Sequence, residues 1–247
     1  MKKSNLLFVS LILLVFTFSA NAQVTFGIKV GANLNNISQD FKNSDWEIAT
    51  KFKPAFHIGV IADMPFSDNF SFQPGLLYTS KGFSYDMDEF VANYFEEEID
   101  GLTIDGYARG TFNYIEIPLN FAFKAEALQI FAGPYVAMGI SGKQKMDFTV
   151  SYMGMSDSQK DEMKLKPTFG EVKDGDLADD EDAFSALDYG VNVGVGYKVG
   201  PILVQGAYSL GMGNLTPKYE GDSDSDRADY KMSNRVITLS VSYFFGE

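Results

Sequence analysis

The sequence holds one histidine, His57. A hydrolytic dyad or triad would need it as a base, beside a serine and a carboxylate. Its neighbours alternate: Phe56, Ile58 and Val60 stand against His57 and Gly59. That spacing places the imidazole on the polar face of a strand. No G-x-S-x-G elbow occurs. A structural histidine fits better than a base, and neither a catalytic residue nor a cofactor is expected. A second candidate is the run DSDSD, with Asp222, Asp224 and Asp226 at alternate positions like the first half of a Ca²⁺ loop. Arg227 stands where such a loop needs glycine, and Ser233 where it needs glutamate. These three aspartates make a weak metal site at most. A third candidate is the pair Glu116 and Lys29, each a charge on the polar side of an alternating run. If both face one enclosed space, a buried charge needs a partner. The expectation is a Glu116–Lys29 contact within a network of Asn120, Asn192 and Gln205, blocking that space. The alternative is that each charge bonds only to nearby polar groups and water.

The elements that would position these residues are strands. In NYIEIPLNFAF, Ile115, Ile117, Leu119, Phe121 and Phe123 alternate with Tyr114, Glu116, Pro118, Asn120 and Ala122. Eight such segments occur, near 24–33, 54–63, 70–81, 113–123, 128–141, 187–199, 202–213 and 235–245. One face of each is apolar. The other carries mainly Gly, Asn, Ser, Thr and Gln, among them His57, Lys81, Gly139 and Ser141. The connections alternate in length. Long polar stretches run over 35–52, 82–108, 142–185 and 214–233, while MPFSDN, KAEA and GP are short. That rhythm is the plan of an outer-membrane barrel. Its small polar face suits an eight-strand lumen that side chains just fill. The apolar face carries no charge in these segments, as lipid requires.

The fold expected is therefore all-β: an eight-stranded antiparallel transmembrane up-and-down β-barrel with four long extracellular loops and short periplasmic turns. Aromatic residues near segment ends read as interfacial girdles. Phe26, Phe70, Phe72, Phe123, Tyr197, Tyr243 and Phe245 would form the turn-side girdle; Tyr78, Phe83, Phe112 and Tyr114 the loop-side one.

The N-terminus reads as an export signal. Lys2 and Lys3 precede an apolar run from Leu6 to Phe18, and Ala20 and Ala22 form an A-x-A site. Residues 1–22 would be removed, leaving the barrel domain at 23–247. The sequence has no cysteine, which excludes disulfides and zinc–thiolate sites. The net charge of −13 excludes nucleic acid as a partner. The acid concentrates in the long connections: Asp86 to Asp105, Asp174 to Asp182 and Asp222 to Asp226. Beside a lipopolysaccharide leaflet they would attract bridging divalent cations.

VTFGIKVGANLNN, YIEIPLNFAF, DYGVNVGVGYKVG and the final ITLSVSYFFG resemble the porin-like outer membrane β-barrel family that includes PorT-like proteins. The resemblance implies integral location in the outer membrane of a Gram-negative cell, with outer-membrane lipid and lipopolysaccharide as partners. It implies no common activity. It extends to a secretion-accessory role for PorT-like members, though no residue here matches one that would carry it. Four functions are in view. One is a structural or loop-mediated interaction barrel with a largely plugged lumen and an unknown protein partner. The others are a narrow porin, a PorT-like secretion accessory, and a secreted lipocalin-like ligand barrel.

Overall fold

The computed structural model describes residues 24–42, 49–85, 102–223, 227 and 229–246. The expected signal at 1–22 lies outside them, as do Asp224, Asp226 and the acidic residues from Asp86 to Asp100. Among the described residues eight long strands form one ring. They are β1 (Thr25–Phe41), β2 (Lys53–Pro65), β3 (Phe70–Tyr85), β4 (Leu102–Ala125), β5 (Leu128–Tyr152), β6 (Leu187–Val199), β7 (Ile202–Gly211) and β8 (Tyr230–Phe244). Each pairs antiparallel with the next, and β8 returns to β1 from Gly27↔Phe244 to Phe41↔Tyr230. Closure leaves the ring no unpaired edge, the condition for strands in hydrocarbon.

The alternation sorts the side chains as the pattern predicts. On β1, Phe26, Ile28, Val30 and Leu34 are exposed while Asn33 and Asn35 are buried. From Phe26 to Leu34 the apolar face runs ~27 Å along the strand, and tilt brings this near the ~25 Å band of such barrels. The contrast is plain on β6, where Val193 is 56% exposed and adjacent Asn192 is 7% exposed. The apolar surface is outside and the polar surface inside, so the lipocalin-like arrangement does not apply. Val193→Arg is expected to destabilise the folded barrel in lipid by about 2–4 kcal/mol, and Asn192→Ser by less. Equal unfolding midpoints of the two variants in lipid vesicles would mean that the faces are misassigned.

The turns are as short as expected. β4 and β5 join through Glu126 and Ala127, with Glu126 in the left-handed region at φ 54°. β6 and β7 join through Gly200 and Pro201, with Gly200 also at φ 54°. Lys124, assigned to a turn from KAEA, is still in β4 and pairs with Asp63.

Four expectations need correction. First, the long polar stretches are partly strand. β4 and β5 stay paired far beyond the apolar belt, from Ala108↔Met146 to Leu102↔Tyr152. A further strand, Met155–Thr168, folds back on β5 through Met153 and Gly154, both at positive φ. Residues 142–168 thus form a hairpin, because a two-residue left-handed turn matches the strand twist.

Second, Ser141 is exposed instead of sharing the inward face with Gly139. The β4–β5 register shifts at Asn113/Tyr114. One extra residue on β5 there reverses its alternation.

Third, Phe83, Phe112 and Tyr114 do not form a loop-side girdle: all three are buried. Phe112 and Tyr114 share the parity of Glu116, and parity overrides the preference of aromatics for interfaces. Fourth, the outward face is not free of charge. Arg235 holds outward parity at the loop-side end of β8, where its guanidinium donates to the carbonyls of Gly211 (2.7 Å) and Asn234 (2.9 Å).

Candidate functional site

The lumen is the candidate site, and strand tilt decides which side chains meet in it. Glu116 on β4 lies opposite Leu77 of β3 in the ladder. Lys81 stands two alternations further along β3, on the same inward face. Its ammonium lies 2.7 Å from Glu116 Oε2 and 2.9 Å from Asp188 Oδ2. Asp188 comes from β6, across the lumen, and is wholly buried. Asn234 Nδ2 of β8 donates to the same Asp188 oxygen at 2.9 Å. The Tyr135 hydroxyl of β5 donates to it at 3.3 Å. The Tyr135 ring also faces the ammonium, 4.2 Å from its centroid. Five strands are tied at one cation.

Lys81 is 2% exposed. Such a charge is tolerable only with its hydrogen-bonding positions filled. Two carboxylates and an aromatic face do this. Gly82, next in sequence, has φ 144°, and a Cβ there would come within 2.1 Å of the Gly110 carbonyl. Only glycine permits β3 to approach β4 so closely beside the knot.

The expected Glu116–Lys29 contact is not the one formed. Glu116 pairs with Lys81, while Lys29 Nζ donates to Gln205 Oε1 at 2.9 Å. Both lysines hold inward parity, but Lys81 is on the strand hydrogen-bonded to β4. Lys29, Glu116, Asn120 and Asn192 line one residual cavity with Lys81 and His57. Its volume is about 40 Å³, space for roughly three or four waters at ~10–15 Å³ each. Gln205 is buried and reaches that group through Lys29. His57 Nδ1 lies 2.6 Å from Asn33 Oδ1, and Asn33 in turn donates to Thr79 Oγ1 and the Ser80 carbonyl. Gly31 makes room for the imidazole, which a Cβ would approach to 2.5 Å. The histidine is thus held by an amide.

Toward the turns a second polar group crosses the lumen. Asp63 of β2 pairs with Lys124 of β4 and accepts from Gln73 Nε2 at 3.1 Å. Gln73 also donates to Gln129 at 3.3 Å. Toward the loops the filling is apolar. Phe83, Phe112, Tyr114 and Tyr135 from the wall pack with Ile37, Leu165, Leu215 and Phe184. Phe184 arrives from the third long connection. It lies 5.0 Å from Phe112 and 6.0 Å, edge-on, from Tyr114. A Cβ on Gly139 would come within 2.7 Å of its ring.

Lys81, Asp188, Tyr135, Asn234 and Phe184 were not among the candidates from sequence. Lys81 already stood on the polar face, and Asp188 precedes Tyr189 with the same inward parity as Gly190. Parity was the available signal. Asp222, the one described member of the acidic trio, accepts a hydrogen bond from the Tyr219 backbone N–H at 2.9 Å. Among the described residues no three His, Asp or Glu side chains converge as metal ligands.

A family model described as "outer membrane protein beta-barrel domain" matches residues 19–217. No curated protein matches the chain. Solved structures that it resembles include Ail, the attachment invasion locus protein of Yersinia pestis, at 14% identity and TM-score 0.37, covering 90% of this chain and 99% of that one. Another is Neisserial surface protein A, at 12% identity and TM-score 0.34, covering 90% and 98%. A third is the Pseudomonas putida toluene transporter TodX, at 12% identity and TM-score 0.27, covering 93% and 90%.

Proposed function

The chain belongs to the outer membrane protein beta-barrel domain family, and is an integral protein of the Gram-negative outer membrane; from that premise we propose that it is a sealed barrel whose work is done by its long connections. The observation that carries this reading is the Lys81 knot. One ammonium bonds two carboxylates from different sides of the lumen. An aromatic layer lies above it, and the cavity beside it measures about 40 Å³.

A solute entering such a lumen would have to break charge-assisted bonds in a space with room for only a few waters to replace them. The long connections, by contrast, carry a hairpin, short strands and most of the acid. They would face outward, where lipopolysaccharide and divalent cations are the first partners, and a protein partner would meet the same surface. The role is structural or interactive. Liposomes carrying the purified barrel are expected not to swell in isosmotic solutions of small sugars. Rapid swelling would favour the narrow porin.

A further inference from the structure

Two of the long connections are stitched together beside the barrel mouth. Glu171–Val172 pairs in parallel with Lys218–Tyr219, and the Glu220 N–H donates to the Val172 carbonyl at 2.8 Å. The Tyr219 hydroxyl donates to Asp182 at 2.5 Å. Partial burial and that bond push the Tyr219 phenol well above its ordinary range, so the clamp persists as a neutral donor. Buried Val172 and Leu215 anchor the two segments from below. A cavity of about 250 Å³ opens at the stitch.

The chemistry of this cavity differs from that of the surrounding loops. Arg227 lines it, with Lys218, Phe169 and Pro217. The guanidinium is fixed from three sides: Nε donates to the Thr216 carbonyl at 3.0 Å, and Nη2 to Ser185 Oγ and the Asn214 carbonyl at 3.4 Å each. Asn214 Nδ2 in turn donates to the Arg227 carbonyl at 3.0 Å. A cation held in this way is already ordered before a ligand arrives, which lowers the cost of binding. Glu171 lies 3.9 Å from Lys218. The site therefore has two cations and one carboxylate, on a chain of net charge −13. Phe169 is 73% exposed and supplies a flat apolar surface at the edge. The volume lies just below the ~300–1,000 Å³ of ordinary small-molecule sites. An occupant must be small, carry one negative group, and present a flat face to Phe169.

We propose that this cavity between the third and fourth long connections binds a sugar bearing a single anionic group, with Arg227 as the principal charge partner and Phe169 as the stacking surface. Such a group is available on a free sugar acid or sugar phosphate, and on the sugars of lipopolysaccharide. The site is independent of whether the lumen is sealed.

The test is calorimetric titration of the whole folded chain in detergent. Soluble probes are glucuronate and glucose 6-phosphate, with glucose as the uncharged control and lipopolysaccharide micelles as the membrane-borne source. Saturable binding of the charged sugars with no response to glucose is the expected result. Arg227→Gln should weaken it on the order of tenfold or more, the effect of losing a charge-assisted bond. Phe169→Ala, at an exposed position, should weaken it severalfold without touching the stitch. Binding seen only with lipopolysaccharide, and weakened by both variants, would keep the site and assign its source. Equal affinity for glucose and glucuronate would overturn the proposal. So would the absence of binding to every probe, or unchanged affinity in both variants.

Discussion

Lys81→Met is expected to destabilise the folded barrel by about 3–5 kcal/mol, the cost of leaving buried carboxylates without their cation. Glu116 is 8% exposed and Asp188 wholly buried. Asn234 and Tyr135 can still donate to Asp188, but Glu116 loses a 2.7 Å ion pair. The measurement is urea unfolding in lipid vesicles followed by circular dichroism. The triple variant Lys81→Met, Glu116→Gln, Asp188→Asn removes all three charges together. It should recover most of the loss, since a buried ionic group replaced whole is often neutral. Strict additivity of the three single effects would show that the groups do not act as a unit.

Phe184→Ala is the second large expected effect, about 3–5 kcal/mol for an aromatic side chain removed from a packed core. Phe184 is 2% exposed and packs on Phe112 and Tyr114. Its loss leaves a space that rigid strands on either side cannot close. The same substitution at exposed Phe169, from the same connection, should leave unfolding unchanged. Equal effects at the two positions would place Phe184 outside the core of the mouth.

Much of the fold was legible in the sequence, for a physical reason. Period two fixes which face each residue joins, and a wrong face in lipid is so costly that the pattern must be kept. Val193 and Asn192 could be sorted by parity alone, and the three short turns followed from where alternation stopped. Parity carries no depth, however. Whether Lys29 or Lys81 meets Glu116 depends on the tilt and stagger of the ring, which no single strand encodes.

Ser141 shows a related loss. A one-residue bulge beside it reverses the face, and nothing in GISGK signals the insertion. Phe112 and Tyr114 were legible and were misassigned. Their parity placed them with Glu116, while residue type suggested an interface. Phe184 was hidden differently: it lies in the acidic stretch EDAFSALDYG, where local composition describes a solvated loop and only long-range packing makes it core.

The most direct test of a sealed lumen is the conductance of the purified wild-type barrel in planar lipid bilayers. The wild type should insert without steady current, whereas Lys81→Met and Phe184→Ala should each admit measurable ion flow where they remain folded. Steady large currents from the wild type, unchanged by either substitution, would contradict the sealed barrel and establish an open pore.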